Sequence, residues 1–149
     1  MAVSPIPEGM QSITPYLIVV GADRLVAFLR EAFGAEELFR MARPDGTIQH
    51  AKVRVAGSIV ELADGAGGYP PRPGAIHLYV DDADATYRRA IEAGAASLYE
   101  PADMPYGERS GGVVDPTGNH WYIATQTEVL DRAELDRRVA GVDAGSPAR

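Results

Sequence analysis

The chain carries three histidines, all in stretches where polar and apolar residues alternate: His50 in "HAKVRVA", His77 in "GAIHLYVDD" and His120 in "DPTGNHWYIATQ". Alternation with a period of two sends every second side chain to the same face of a strand. His77 then shares a face with Tyr79 and His120 with Tyr122, while Trp121 and Ile123 take the opposite, packed face. In the same way His50, Lys52 and Arg54 oppose Ala51, Val53 and Val55, and Ile59 and Glu61 join the polar side from the next segment. Imidazoles beside phenols and a carboxylate suit proton transfer, metal coordination, or recognition of a flat molecule by aromatic faces with a few polar handles. Cysteine is absent, which excludes thiolate nucleophiles, thiolate metal sites and disulfides.

The elements that must hold these residues come in a repeated order. "SITPYLIVV" reads as a strand ending at Gly21, and "ADRLVAFLREAFGAEE" places Leu25, Phe28, Leu29, Ala32 and Phe33 on one helical face, with Gly34 at its C-terminus. Three short segments follow, "EELFRMARPDGTIQ", "HAKVRVA" and "SIVELAD", which read as a meander. Then the order recurs. "GAIHLYVDD" is a strand, "ADATYRRAIEAGA" a helix with Tyr87, Ala90 and Ile91 inward, and "GGVVDPTGNHWYIAT" a closing hairpin. Pro15 aligns with Ala75, Asp23 with Asp82, Gly34 with Gly94, Gly57 with Gly118 and Glu61 with Tyr122, an offset of 59 to 61 residues throughout. A constant offset with a constant element order signals a duplicated unit. Module one spans 12–64, a Gly- and Pro-rich linker 65–74, module two 75–126, and a charged helix capped by Thr127 is expected over 127–140, with tails at 1–11 and 141–149.

A chain of 149 residues that is 46% hydrophobic has enough apolar surface for one core. Its net charge of -7 leaves no basic face for nucleic acid. No apolar run is long enough to span a bilayer, and "MAVSPIPEGMQS" lacks the basic and apolar regions of a secretory leader, so a cytoplasmic location is expected.

With "YVDDADATYRRAIEAGA" opening the second module and "YGERSGGVVDPTGNHWYIAT" closing it, residues 12–126 resemble the vicinal oxygen chelate superfamily of glyoxalase I, bleomycin-resistance proteins and extradiol dioxygenases. "ITPYLIV" and "HAKVRVAGSIVELADG" are most similar to its PhnB-like branch. The resemblance implies an α+β fold in which two βαβββ modules form a cup-shaped mixed sheet with helices on the outer face. Metal-dependent relatives place one ligand on the first and last strand of each module. Carried onto this chain, those positions are Pro15 or Tyr16, Glu61, Ala75 and Tyr122, of which only Glu61 is a usual ligand. One carboxylate does not hold a divalent ion, which takes about three or more protein ligands, so no metal and no cofactor are expected. His77 and His120 stand two residues from those positions in opposite directions, which on this alignment separates them by roughly 13 Å of strand, too far to share an ion.

Glu61 has two readings. If Ala56 and Gly57 form a two-residue turn, Lys52 lies directly across from Glu61 and neutralises it; otherwise Glu61 is a carboxylate in a cleft, available as a general base. The segment "YEPADMPYGERSGG" carries Tyr106 and Arg109 and either lies over the mouth of the cup or is an ordinary connection. The expected ligand-binding set is His50, Lys52, Glu61, His77, Tyr79, Tyr106, Arg109, His120 and Tyr122, with Tyr16 at the margin. The leading expectation is a metal-free cup that binds a small planar or aromatic compound, cationic or neutral in keeping with the acidic chain. The alternatives are an isomerase, cyclase, lyase or dioxygenase-like enzyme using the cup histidines, with or without a divalent metal, and an interaction module whose cup is filled by its own side chains. A homodimer with two equivalent cups is expected, because each module supplies half a cup.

Overall fold

The computed structural model describes residues 2–142; the tail expected to fray lies, from residue 143 on, outside the described residues. Alternation and helical spacing produce β1 (Tyr16–Val19), α1 (Ala22–Phe33), β2 (Glu36–Ala42), β3 (Ile48–Val55) and β4 (Ser58–Asp64), then β5 (Ala75–Tyr79), α2 (Ala83–Glu92), β6 (Ala96–Met104), β7 (Glu108–Val114) and β8 (His120–Gln126). The strands form two sheets of identical order, β1-β4-β3-β2 and β5-β8-β7-β6. In each, the first strand of the module lies at one edge parallel to the last, the βα crossover carries the chain to the opposite edge, and the remaining pairs are antiparallel.

Each sheet has one face packed under its own helix. Ala51, Val53, Val55, Val60 and Leu62 are buried below α1, and Val113, Trp121 and Ile123 below α2. The two helices pack on each other, and Phe33 at the end of α1 meets the Trp121 ring at a centroid distance of 5.0 Å, so one core runs through both modules. Ile91, expected inward on α2, is exposed instead.

Helix starts are fixed by side chains far away in sequence. α1 begins at Gly21, which has no side chain to cap it, and Asp64 at the end of β4 does the work: its Oδ1 accepts from the Gly21 and Ala22 amides at 2.9 Å each, and its Oδ2 from Ile48 at 2.8 Å. At α2, Asp82 accepts from the Ala85 amide and Thr125 from the Ala83 amide. The hairpin between β3 and β4 is the two-residue turn Ala56–Gly57, with φ of 48° and 83° and Val55 paired to Ser58, which suits the twist of the flanking strands.

Two expectations are corrected. The segment read either as a loop over the mouth of the cup or as an ordinary connection is a β6–β7 hairpin; Pro101 hid the strand, yet β6 is an edge strand whose pairing is irregular between Tyr99 and Ala102, a position where proline is tolerated. The C-terminal helix, α3 (Arg132–Val139), starts later than expected. It is capped by Asp131, while the Thr127 amide bonds to the Gly107 carbonyl, and no α3 residue is buried.

Candidate functional site

The sheet faces turned away from the helices carry the candidate site. On the first, Tyr16 and Ile18 of β1, Glu61 and Ala63 of β4, and His50 and Lys52 of β3 share one face. The Tyr16 hydroxyl lies 3.1 Å from His50 Nδ1, and His50 Nε2 lies 3.4 Å from Glu61 Oε1, so the three form a phenol–imidazole–carboxylate chain. Burial, and next the Glu61 charge, push the Tyr16 phenol above its ordinary pKa against an opposing pull from Arg43. Tyr16 therefore keeps its proton and acts as a donor. Beside this chain is a cleft of about 600 Å³ lined by Tyr16, Ile18, Arg43, Gln49, Ala63, Asp64 and Tyr69.

On the second sheet, His77 stacks on Tyr79 with centroids 4.6 Å apart, and His120 meets Tyr122 edge-on at 6.4 Å. Tyr99 of β6 completes an aromatic row across the sheet with His77 and Tyr122, because its ring lies over Gly112, where an added Cβ would stand 2.5 Å from it. Below the row, the Tyr79 hydroxyl donates to Glu108 Oε1 at 2.6 Å, and His77 Nε2 lies 3.7 Å from Glu108 Oε2, which is buried and unpaired. The bond to Glu108 raises the Tyr79 pKa, and burial raises that of Tyr106, with Glu108 adding to it. A second cleft, of about 580 Å³, opens over Tyr79, Asp81, Glu108 and Thr125. Both clefts are of ligand size.

The expected residues His50, Glu61, His77, Tyr79, His120 and Tyr122 all lie on these faces, and Tyr106 borders the second. Lys52 is directly across from Glu61 without an ion pair between them, and the side chain that approaches the Glu61 carboxylate is His50, at 3.4 Å. Arg109 belongs to the helix side: its Nη2 bonds Asp84 of α2 at 2.9 Å, which holds the Asp84 carboxyl below its usual range, and it also reaches Asp103. The repeat alignment also changes. Tyr16 pairs with Glu61 and His77 with Tyr122, so His77, and not Ala75, is the counterpart of Tyr16. Ala75 pairs with His120, which leaves His77 and His120 two residues out of step, roughly 7 Å along adjacent strands and not 13 Å. A shift of two residues keeps every side chain on its face, so alternation did not reveal it.

The ligand positions of metal-dependent relatives thus hold Tyr16, Glu61, His77 and Tyr122, an imidazole, a carboxylate and two phenols. Among the described residues of one chain no three His, Asp or Glu side chains converge, and Tyr16, with its pKa raised, is a poor anionic ligand. Glu108, Tyr99 and Arg43 were not anticipated. Glu108 and Tyr99 were assigned to a loop, where alternation is not sought, and Arg43 reaches the cleft from the β2–β3 turn.

Paired βαβββ sheets, each with one helix-covered face and one open aromatic face, define a vicinal oxygen chelate fold. The chain belongs to the Glyoxalase/Bleomycin resistance protein/Dioxygenase superfamily, whose family model matches residues 10–123. It is 35% identical over 135 residues to the uncharacterised protein Mb0911c of Mycobacterium bovis, covering 83% of this chain and 89% of that one. Among solved structures it is similar to TioX from Micromonospora sp. ML1 (TM-score 0.65, 28% identity, 78% of this chain and 98% of that chain). It is also similar to TnmS3, an antibiotic binding protein from Streptomyces sp. CB03234 (TM-score 0.62, 25% identity, 85% and 99%). No helix of the described residues is long and apolar enough to cross a membrane.

Proposed function

We propose that this protein binds a small planar organic molecule in a metal-free cup that two copies of the chain complete between them, in the cytoplasm. The observation that carries the reading is the pair of open aromatic faces: Tyr16 is 46% exposed on one sheet and Tyr79 57% on the other, each beside a ligand-sized cleft lined by its own half of the chain. Charge complementarity supports docking of one face on the other across a two-fold axis. Lys52 and Arg43 stand on the first face without a carboxylate partner among the described residues, and Glu108 and Asp81 on the second. Similarity to an antibiotic binding protein supports the ligand class. Titration of chelator-treated protein with a panel of planar aromatic compounds, read by tyrosine and Trp121 fluorescence, tests it. Saturable quenching with the compound recovered unchanged is expected. No saturable change across the panel, or near-stoichiometric metal in protein purified without chelators, overturns it.

The Tyr16–His50–Glu61 chain favours a second reading, an enzyme in which His50, oriented by Glu61, relays a proton through the Tyr16 hydroxyl. Conversion of the bound compound, lost in His50→Gln, would decide for it.

A further inference from the structure

Arg43 has no carboxylate within ion-pair distance among the described residues. It is half-buried in the first cleft, and its partners are neutral oxygens only: Nη1 donates to Thr47 Oγ1 at 3.2 Å and the Ile48 carbonyl at 3.3 Å, and Nη2 to the Asp64 carbonyl at 3.3 Å. Charge-assisted bonds are shorter, at roughly 2.7–2.9 Å. Arg40, Arg54 and Arg109, by contrast, each hold a carboxylate. The carboxylate of Asp64, the acid nearest in the lining, is already engaged by the amides of Gly21, Ala22 and Ile48. Three bonds of ordinary strength fix the guanidinium in place and leave donors over for a ligand, since the group has five N–H bonds.

Around it the cleft has what a flat acid needs. Its lining combines the apolar Ile18 and Ala63, the phenols Tyr16 and Tyr69, and the Gln49 amide as a further polar handle. Tyr69 comes from the inter-module linker and is 73% exposed, with its ring unpartnered. The Tyr16 hydroxyl, 3.1 Å from His50 Nδ1, edges the cleft beside the guanidinium.

We propose that this cleft binds the carboxylate of a planar organic acid on Arg43, with the ring of the ligand between Tyr16 and Tyr69. The assignment rests on the small-molecule reading above and narrows it to anions, against the sign of the chain's net charge of -7. A guanidinium in a part-dry cleft outweighs a distributed field that salt screens.

The test uses three probes of one shape and different charge: naphthoate, its neutral amide naphthamide, and naphthylmethylammonium, titrated calorimetrically into the full chain. Naphthoate is expected to bind about tenfold or more tighter than naphthamide, with the ammonium weakest. Arg43→Met should remove that preference while leaving the naphthamide constant unchanged, and Arg43→Lys should keep part of it. Tyr69→Ala, at an exposed position that tolerates truncation, should weaken naphthoate and naphthamide alike. Thermal melts establish that each variant folds; should Arg43→Met not fold, Arg43→Lys and Tyr69→Ala decide. Binding that ignores probe charge, a preference that survives in folded Arg43→Met or undiminished in Arg43→Lys, or indifference to Tyr69→Ala overturns the Arg43 assignment alone. Failure of all three probes to bind wild-type protein overturns the small-molecule reading with it.

Discussion

Removing the carboxylate of Asp115 should cost this protein more stability than any other single polar truncation in module two. Asp115 is buried at the β7–β8 turn, where its Oδ1 accepts from the Thr117 amide and hydroxyl at 2.7 and 2.8 Å and from the Asn119 amide at 3.2 Å. Its Oδ2 accepts from Asn119 Nδ2 at 2.9 Å and Trp121 Nε1 at 2.8 Å. Asn119 and Trp121 are both fully buried, and Asn119 Oδ1 in turn holds the Gly74 amide ahead of β5. In Asp115→Ala the indole N–H loses its acceptor inside the core. A hydrogen bond to a charged group contributes about 1.5–3 kcal/mol, and an orphaned buried donor costs about 1–3 kcal/mol, so a total loss of about 3–5 kcal/mol is expected after water fills part of the space. Equilibrium urea unfolding at fixed protein concentration, read by the chain's single tryptophan, measures it. A double-mutant cycle with Trp121→Phe, followed by far-UV circular dichroism because that variant has no tryptophan, should return a coupling of about 1–3 kcal/mol. A loss under about 1 kcal/mol, or no coupling, would refute the idea that this carboxylate seats Trp121 and with it sets the register that brings His77 beside Tyr122.

Burial or a hydrogen bond to Glu108 raises Tyr16, Tyr79 and Tyr106 above the usual phenol value of 10.0. Their stabilisation is complete below pH 10 and is lost as pH rises through the raised values. Native protein should therefore show delayed phenolate absorbance, and Tyr79→Phe should lose part of the delay; ordinary titration of every tyrosine would contradict this. Gly112→Ala drives a methyl into the Tyr99 ring and should destabilise by about 1–3 kcal/mol while weakening aromatic ligands, with Val114→Ala on the same strand as a comparison. Arg109→Met breaks a half-exposed pair with Asp84 and should cost under about 1 kcal/mol without altering ligand affinity; a large affinity loss would return Arg109 to the cup.

Alternation and helical spacing made much of this fold legible. They placed Trp121 and Ile123 under α2, put all three histidines on the open faces, and located the Ala56–Gly57 turn that sets Lys52 against Glu61. What they missed has common physical causes. A period of two is blind to even register shifts, so Ala75 and His77 were interchangeable as partners of Tyr122. Proline argues against a strand unless the strand lies at an edge, which only the tertiary fold decides for β6. Asp64 capping α1, Glu108 under Tyr79 and Arg43 in the cleft are contacts between residues distant in sequence, and residue type alone carries no trace of them.

The claim that one ligand site is built from the open faces of two chains is tested most directly by subunit mixing. One variant carries Tyr16→Ala with Glu61→Ala, which spoils the first face, and the other His77→Ala with Tyr122→Ala, which spoils the second. Each alone should lose tight binding of a planar aromatic ligand and keep at most the weaker hold of one half-cup. After the two are mixed, dissociated and reassembled, random pairing puts half the dimers in mixed form, each with one intact cup, so ligand binding should return at about a quarter of the wild-type sites. No recovery on mixing, with mixed dimers demonstrated by mass, would show that each cup lies within one chain and contradict the account.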